Sequence, residues 1–230
     1  MSLPPTWSAH LLSPDHHRAG QHLDSHLTSP DDAGPHAWAA LRRVTDHERR
    51  SGVTQASRQA RAMLALNLHV AWHEGGHLAA ARLLAGAWNA RLYLRGPDYA
   101  TPPTIPTADL LLSQPLSGLV SSLPAATNHL SPGDATLRQI TDSYAMTLAA
   151  SYSPCPYTPA LPAHLSSEDE TLLAQHPPPL RDALLREAAA TLRRAADPDT
   201  WRAACDQAAR DLLRNGQILG GDQALHAALP

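Results

Sequence analysis

The sequence contains no lysine and no phenylalanine, and only two cysteines, Cys155 and Cys205, in 230 residues. Without lysine there is no phosphate-binding GxxxxGK[ST] loop, no lysine Schiff base and no Ser–Lys nucleophile pair. Two cysteines cannot staple a chain of this length into a disulfide framework, which points to a reducing compartment and to thiols packed as small apolar residues. Charge is also scarce: 17% of residues are charged, and the formal net charge is −3. So weak a balance gives no electrostatic footprint for nucleic acid or for an anionic membrane. The most apolar stretch, Met63 to Trp72, is interrupted by Asn67 and His69 and falls short of the roughly 18 apolar residues that span a bilayer. The opening MSLPPTWSAHLLSPDHH has neither a cationic start nor an apolar block, so no secretory signal is expected and a cytoplasmic location is.

Histidine, proline, alanine and leucine are abundant instead, with 14 histidines and 21 prolines. Residues 1–36 carry six of those histidines (His10, His16, His17, His22, His26, His36) and little apolar periodicity. The composition predicts a flexible His/Pro-rich tail, followed by one helical domain over residues 37–230. Trp38, Leu41, Val44 and His47 suggest one helix face, and Ser51-Gly52 punctuates its end. Thr54 is placed to cap a second helix that runs to about Ala85, before Gly86. ARLYLR, residues 90–95, reads as a short strand. Asp109 reads as a helix start, and SPGD at 131–134 as a turn into a helix buried along Leu137, Ile140, Tyr144 and Leu148. After a proline-rich loop, Ser167 and Glu170 form a capping-box pattern. Leu180, Leu184, Ala188 and Leu192 then make one stripe. Asp197-Pro198 opens a last helix with Trp201, Cys205, Ala208 and Leu212 as its stripe. The predicted class is mainly α, a multi-helix domain with a short strand or hairpin after the second long helix.

One motif carries chemistry. Residues 73–77 read His73-Glu74-Gly75-Gly76-His77, an HExxH. Positions i and i+4 share a helix face, so both imidazoles can reach one zinc ion, with Glu74 beside it as general base. With 14 histidines and 5 glutamates in the chain, chance supplies about 0.02 such motifs. The motif lies in the most apolar helix, where two histidines and a glutamate are costly to bury without a purpose. Two adjacent glycines in a helix interior cost roughly 1 kcal/mol each relative to alanine, which suggests close backbone approach. A catalytic zinc needs a third protein ligand. The extended HExxHxxGxxH pattern fails, since Ala80 and Leu83 occupy its later positions, and no glutamate occurs between Glu74 and Glu168. The acids in that gap are Asp98, Asp109, Asp134 and Asp142, with His129 the one histidine. Asp134, at a helix start, and Asp142, two turns into that helix, are the best placed.

AWHEGGHLAAARLLAGA resembles the HEAGH motif and following small-residue helix of the FtsH-type ATP-dependent zinc metalloproteases. ARLYLRGP, LLLSQPLSGLVSSL, SPGDATLRQITDSYAM and AARDLLRNGQILGGDQAL are similar, in order, to later segments of that protease domain, over roughly residues 54–229. The resemblance implies a zincin-like fold, His73 and His77 as zinc ligands, Glu74 as general base, and an aspartate from the SPGDATLRQ helix as third ligand. In the apolar register that aspartate falls on Thr136. Asp134 takes the role if the turn is rearranged, and Asp142 is the alternative. The family's acid in the middle helix corresponds to Ser121 or Ser122. Its ATPase module and membrane helices have no counterpart in this sequence.

The leading expectation is therefore a zinc-dependent, ATP-independent peptidase acting on a flexible protein or peptide, in which Glu74 takes a proton from the water that the metal polarises. Arg91 or Arg95 is a candidate for binding a substrate's main chain, against the simpler reading of solvated strand ends. The alternative is a non-catalytic helical interaction or regulatory protein on a peptidase-like scaffold, with Arg138, Arg181, Arg186, Arg193, Arg194 and Arg202 as its surface. A zinc hydrolase of a non-peptide amide or ester is a third reading, since HExxH does not specify the acyl group. Association of copies of the chain is compatible with each.

Overall fold

A computed structural model describes residues 12–85, 92–95, 107–109, 132–215 and 217–218. The described part is mainly helical and is organised around α5 (Gln55–Ala85). The chain enters α5 through a reciprocal cap: the Ser57 N–H donates to Thr54 Oγ1 at 3.1 Å, and the Thr54 N–H to Ser57 Oγ at 3.0 Å. Apolar residues then occupy every side of the helix, the pattern of an element buried all round. Between residues 61 and 82 no position is exposed, and only Leu66, Val70 and Glu74, spaced four apart, keep partial solvent contact. Around α5 pack α1 (Pro14–Gln21), α4 (Pro35–Ser51), α6 (Pro132–Leu148) with its 3₁₀ continuation Ala149–Tyr152, and α9 (Pro198–Asn215). Short helices α2 (Leu23–His26), α3 (Pro30–Ala33) and α7 (Ser167–Leu173) fill the connections, and α8 (Pro178–Ala195) lies mainly against α6. No helix among the described residues is long and apolar enough to cross a membrane.

Three short strands flank the bundle. β1 (Leu92–Arg95) lies between β2 (Thr107–Asp109) and β3 (Gln217–Ile218), antiparallel to both, with Tyr93 opposite Asp109 and Gln217. Asp109, read from the sequence as a helix start, lies in β2 and pairs with Tyr93; the leucine run after it lies outside the described residues.

From Leu12 onward, the segment expected to be a flexible tail is part of the fold. Ala19, Leu23, Leu27 and Ala33 join the main core, with Leu23 and Ala33 fully buried. The few apolar residues are spaced to reach it, and ion pairs and close backbone contact do the rest. A Cβ at Gly20 would lie 2.7 Å from the Arg61 carbonyl carbon, so only glycine lets α1 sit this near α5. Arg61, almost wholly buried, donates through Nε and Nη2 to Glu48 at 2.7–3.1 Å and through Nη2 to Thr45 Oγ1 at 3.1 Å. Its Nη1 pairs with Asp24 at 2.7 Å. One guanidinium thus fastens α2 and α4 to α5.

Removing a single partner of such a group leaves buried charge uncompensated. Arg61→Met is therefore expected to lower unfolding free energy in urea by about 3 kcal/mol, whereas Asp24→Asn, at a half-exposed acid, costs under about 1 kcal/mol. A loss below about 1 kcal/mol for Arg61→Met contradicts this assignment. The hydrogen bond from Arg61 holds the Glu48 carboxyl below its ordinary range against burial. Its contribution is thus present above the ordinary carboxylate pKa and is lost as pH falls through the lower folded value.

Candidate metal centre

His73 and His77 face one another on α5, with Nε2 atoms 3.2 Å apart. Each Nδ1 lies against a main-chain carbonyl, His73 with His164 at 3.1 Å and His77 with Met146 at 2.9 Å. A carbonyl only accepts, so both Nδ1 atoms carry their protons and donate, leaving the Nε2 lone pairs bare in the neutral rings. The third group is Asp169, in the first turn of α7. Its Oδ2 lies 3.1 Å from His73 Nε2 and its Oδ1 3.3 Å from His77 Nε2. Three acceptors therefore converge on one point. All are buried, with His73, His77 and Asp169 exposed by 9%, 8% and 6%.

That donor set fits a cation. Ligand atoms bound at about 2.0–2.2 Å to a tetrahedral zinc ion stand roughly 3.3–3.5 Å from one another, close to the spacings seen here. Metal-bound histidines characteristically donate the other ring N–H to a backbone carbonyl, as both do. His73, His77 and Asp169 form the metal-competent group among the described residues. Burial alone pushes the His77 pKa down, but the hydrogen bond that its protonated Nε2–H donates to Asp169 and the charges of Glu74 and Asp169 outweigh that and raise it. Burial likewise works to raise Asp169, yet the hydrogen bonds it accepts when Nε2–H donors of His73 and His77 face it hold it far below the carboxylate range. Both shifts express one preference, for positive charge at the point where the three groups meet.

Among the described residues the acid that meets the two histidines, Asp169, is not one of those weighed on the sequence. Asp142 is buried on α6 and belongs to no such group; its Oδ2 lies 4.0 Å from Arg138 Nε, and burial raises its pKa. Asp134 falls on α6, but its side chain and that of Thr136 lie outside the described residues, as do Asp98, Arg91, Ser121, Ser122, His129 and the Arg95 side chain. The capping box read at Ser167 and Glu170 sits one residue earlier. Ser166 Oγ accepts from the Asp169 N–H at 3.1 Å, and Asp169 Oδ2 accepts from the Ser166 N–H at 2.8 Å. The cap locks the aspartate's orientation before any ion is considered. The SEDE run holding Asp169 reads locally as an ordinary helix start, so only its capping pattern marked it.

The two glycines of the motif serve packing. A Cβ at Gly75 would lie 3.0 Å from the Cys205 carbonyl oxygen and 3.2 Å from the Ala209 nitrogen on α9. One at Gly76 would collide with Ser153 Oγ and stand 3.0 Å from the Ala149 carbonyl oxygen. The close approach expected there is to neighbouring helices. Cys205 and Cys155 are buried, and burial pushes both thiols up to about 12. Glu74, half-buried, projects from the partly accessible side of α5. One turn before His73, His69 is buried with both ring nitrogens lacking a hydrogen-bond partner, and burial pushes its pKa down to about 3.

No family model, curated protein or solved structure matches the chain.

Proposed function

We propose that the chain is a zinc-dependent, ATP-independent peptidase of FtsH-like type, its zincin-like domain including β1 and β2 as the hairpin after the HExxH helix. The observation that carries the metal reading is the meeting of three acceptors, His73 Nε2, His77 Nε2 and the Asp169 carboxylate, with both Nδ1–H groups committed to carbonyls. Zinc at such a site supplies Lewis acidity, lowering the pKa of water and polarising a carbonyl. Glu74 is adjacent in sequence to one ligand and retains solvent contact, which suits a carboxylate that accepts a proton from attacking water and returns it to the leaving amine. His73 and His77 keep their tautomers through the His164 and Met146 carbonyls, and Asp169 keeps its rotamer through Ser166. In this reading the substrate is a segment that is already flexible.

The burial of all three candidate ligands favours a second reading, a structural ion in a non-catalytic interaction protein. Metal analysis and a cleavage assay on an unfolded protein separate the two. The peptidase reading expects about one zinc per chain and cleavage that is lost on chelation and restored by zinc. Less than about 0.2 zinc per chain sinks the metal reading, and a full complement with no cleavage leaves the structural one. Protons compete for the His77 Nε2, and its raised pKa moves that competition above the ordinary histidine value of 6.5. Zinc affinity is accordingly expected to fall as pH is lowered from about 8 to about 6; a flat profile contradicts histidine ligation.

A further inference from the structure

We infer that His164 is a positioning residue for the metal centre: its imidazole, stacked on His69, fixes the main-chain carbonyl that holds His73 with Nε2 bare. The inference rests on the metal reading above and concerns how that site is held. His164 lies in the irregular stretch between Tyr152 and Ser167, outside any helix or strand, so its carbonyl has no ladder to place it. Two contacts of its own ring do so. The Nδ1–H donates to the Pro162 carbonyl at 3.1 Å, and the ring lies on the His69 ring with centroids 5.0 Å apart and planes 15° from parallel. His69 is a rigid platform, because it stands on α5 one turn before His73 and is buried within the helix packing. His69, His73 and His77 thus share one face of α5. The first grips the segment that orients the second.

The stacked pair is not a second ligand pair. Rings lying nearly parallel and face to face direct their nitrogens along separate planes instead of at a common point. His69 has no hydrogen-bond partner at either nitrogen, so it contributes its face alone. His164 is exposed, and its ring can be removed without opening the core. Groups that orient metal ligands typically change metal affinity about 10–100-fold when lost; because His164→Ala keeps the carbonyl itself, the lower end applies.

The test is zinc affinity of the full chain, by competition with a chromophoric chelator, alongside the melting temperature of the zinc-free protein. His164→Ala is expected to bind zinc about 10-fold more weakly than wild type, with the zinc-free melting temperature within about 2 °C. His164→Phe, which restores a flat ring over His69, returns affinity to within about 3-fold of wild type. Wild-type affinity in His164→Ala overturns the inference and leaves the metal reading intact. So does a zinc-free melting temperature that falls in step with affinity, or a His164→Phe protein as weak as the alanine variant. A wild-type chain that binds no zinc removes the metal reading and this inference with it.

Discussion

Asp169→Ala is expected to weaken zinc binding about 100-fold or more, while Asp142→Asn leaves it within about 3-fold. Four-ligand zinc sites in small domains bind with roughly 10–16 kcal/mol. One ligand therefore accounts for about 3 kcal/mol, or two decades of affinity. Asp169 meets both histidine Nε2 atoms at 3.1 and 3.3 Å, whereas Asp142 faces Arg138. Asp134→Asn completes the set. If it costs as much as Asp169→Ala, the third ligand comes from the start of α6, as the FtsH-type resemblance implies. If Asp169→Ala binds as wild type, the carboxylate serves only as a helix cap. Asp169→Ala also loses the side-chain half of its capping box, so some destabilisation of α7 accompanies the loss, about 1 kcal/mol by analogy with other caps. Affinity must therefore be compared with the zinc-free stability of each variant.

Local signals located most of the frame, because caps, turns and buried stripes depend on neighbours in sequence. Thr54 caps α5 as read, the described part of α5 runs to Ala85, and Asp197 accepts from the Thr200 N–H ahead of α9. Trp201, Cys205, Ala208 and Leu212 are all buried. The misreadings have two causes: a stripe extended past what the helix turn or its neighbours' cover allows, and a partner that lies far along the chain. His47 was placed on the buried face of α4 by a spacing of three, but the face drifts with the 3.6-residue turn, so Glu48 lies inward against Arg61 while His47 is exposed. Leu180 continues the α8 stripe in sequence yet is 45% exposed, since the helix's first turn extends beyond its neighbours' cover. Residues 12–36 read as a tail because their apolar side chains are sparse, and the buried Arg61 that anchors them cannot be seen as an anchor from the sequence.

The centre divides in the same way. His73 and His77 are legible because one helix turn brings them together, and no tertiary knowledge is needed. The acid opposite them is set by the path of the chain from α6 through the proline-rich loop to α7, which leaves no local spacing to read. His69 interrupts the apolar stretch of α5 four residues before His73. Its meaning depends on His164, far downstream, closing over it.

Glu74→Gln is expected to reduce hydrolysis of an unfolded protein about 10²–10⁴-fold, the range for loss of a positioned general base, with zinc still bound at one per chain. The substitution keeps the side chain's size and leaves His73, His77 and Asp169 untouched, so a collapse of zinc content would show that the residue holds the site together and does not act on substrate. Loss of the glutamate charge has one further effect with a fixed sign. Glu74 helps raise the His77 pKa, so its neutralisation lowers that pKa and lessens proton competition. The zinc-affinity profile of Glu74→Gln should accordingly shift to lower pH even as turnover disappears. Both effects come from one carboxylate, but only the loss of turnover depends on its reaching the water. Equal cleavage by wild type and Glu74→Gln, together with the shifted affinity profile, would keep Glu74 as an electrostatic neighbour of the centre and transfer the role of base elsewhere.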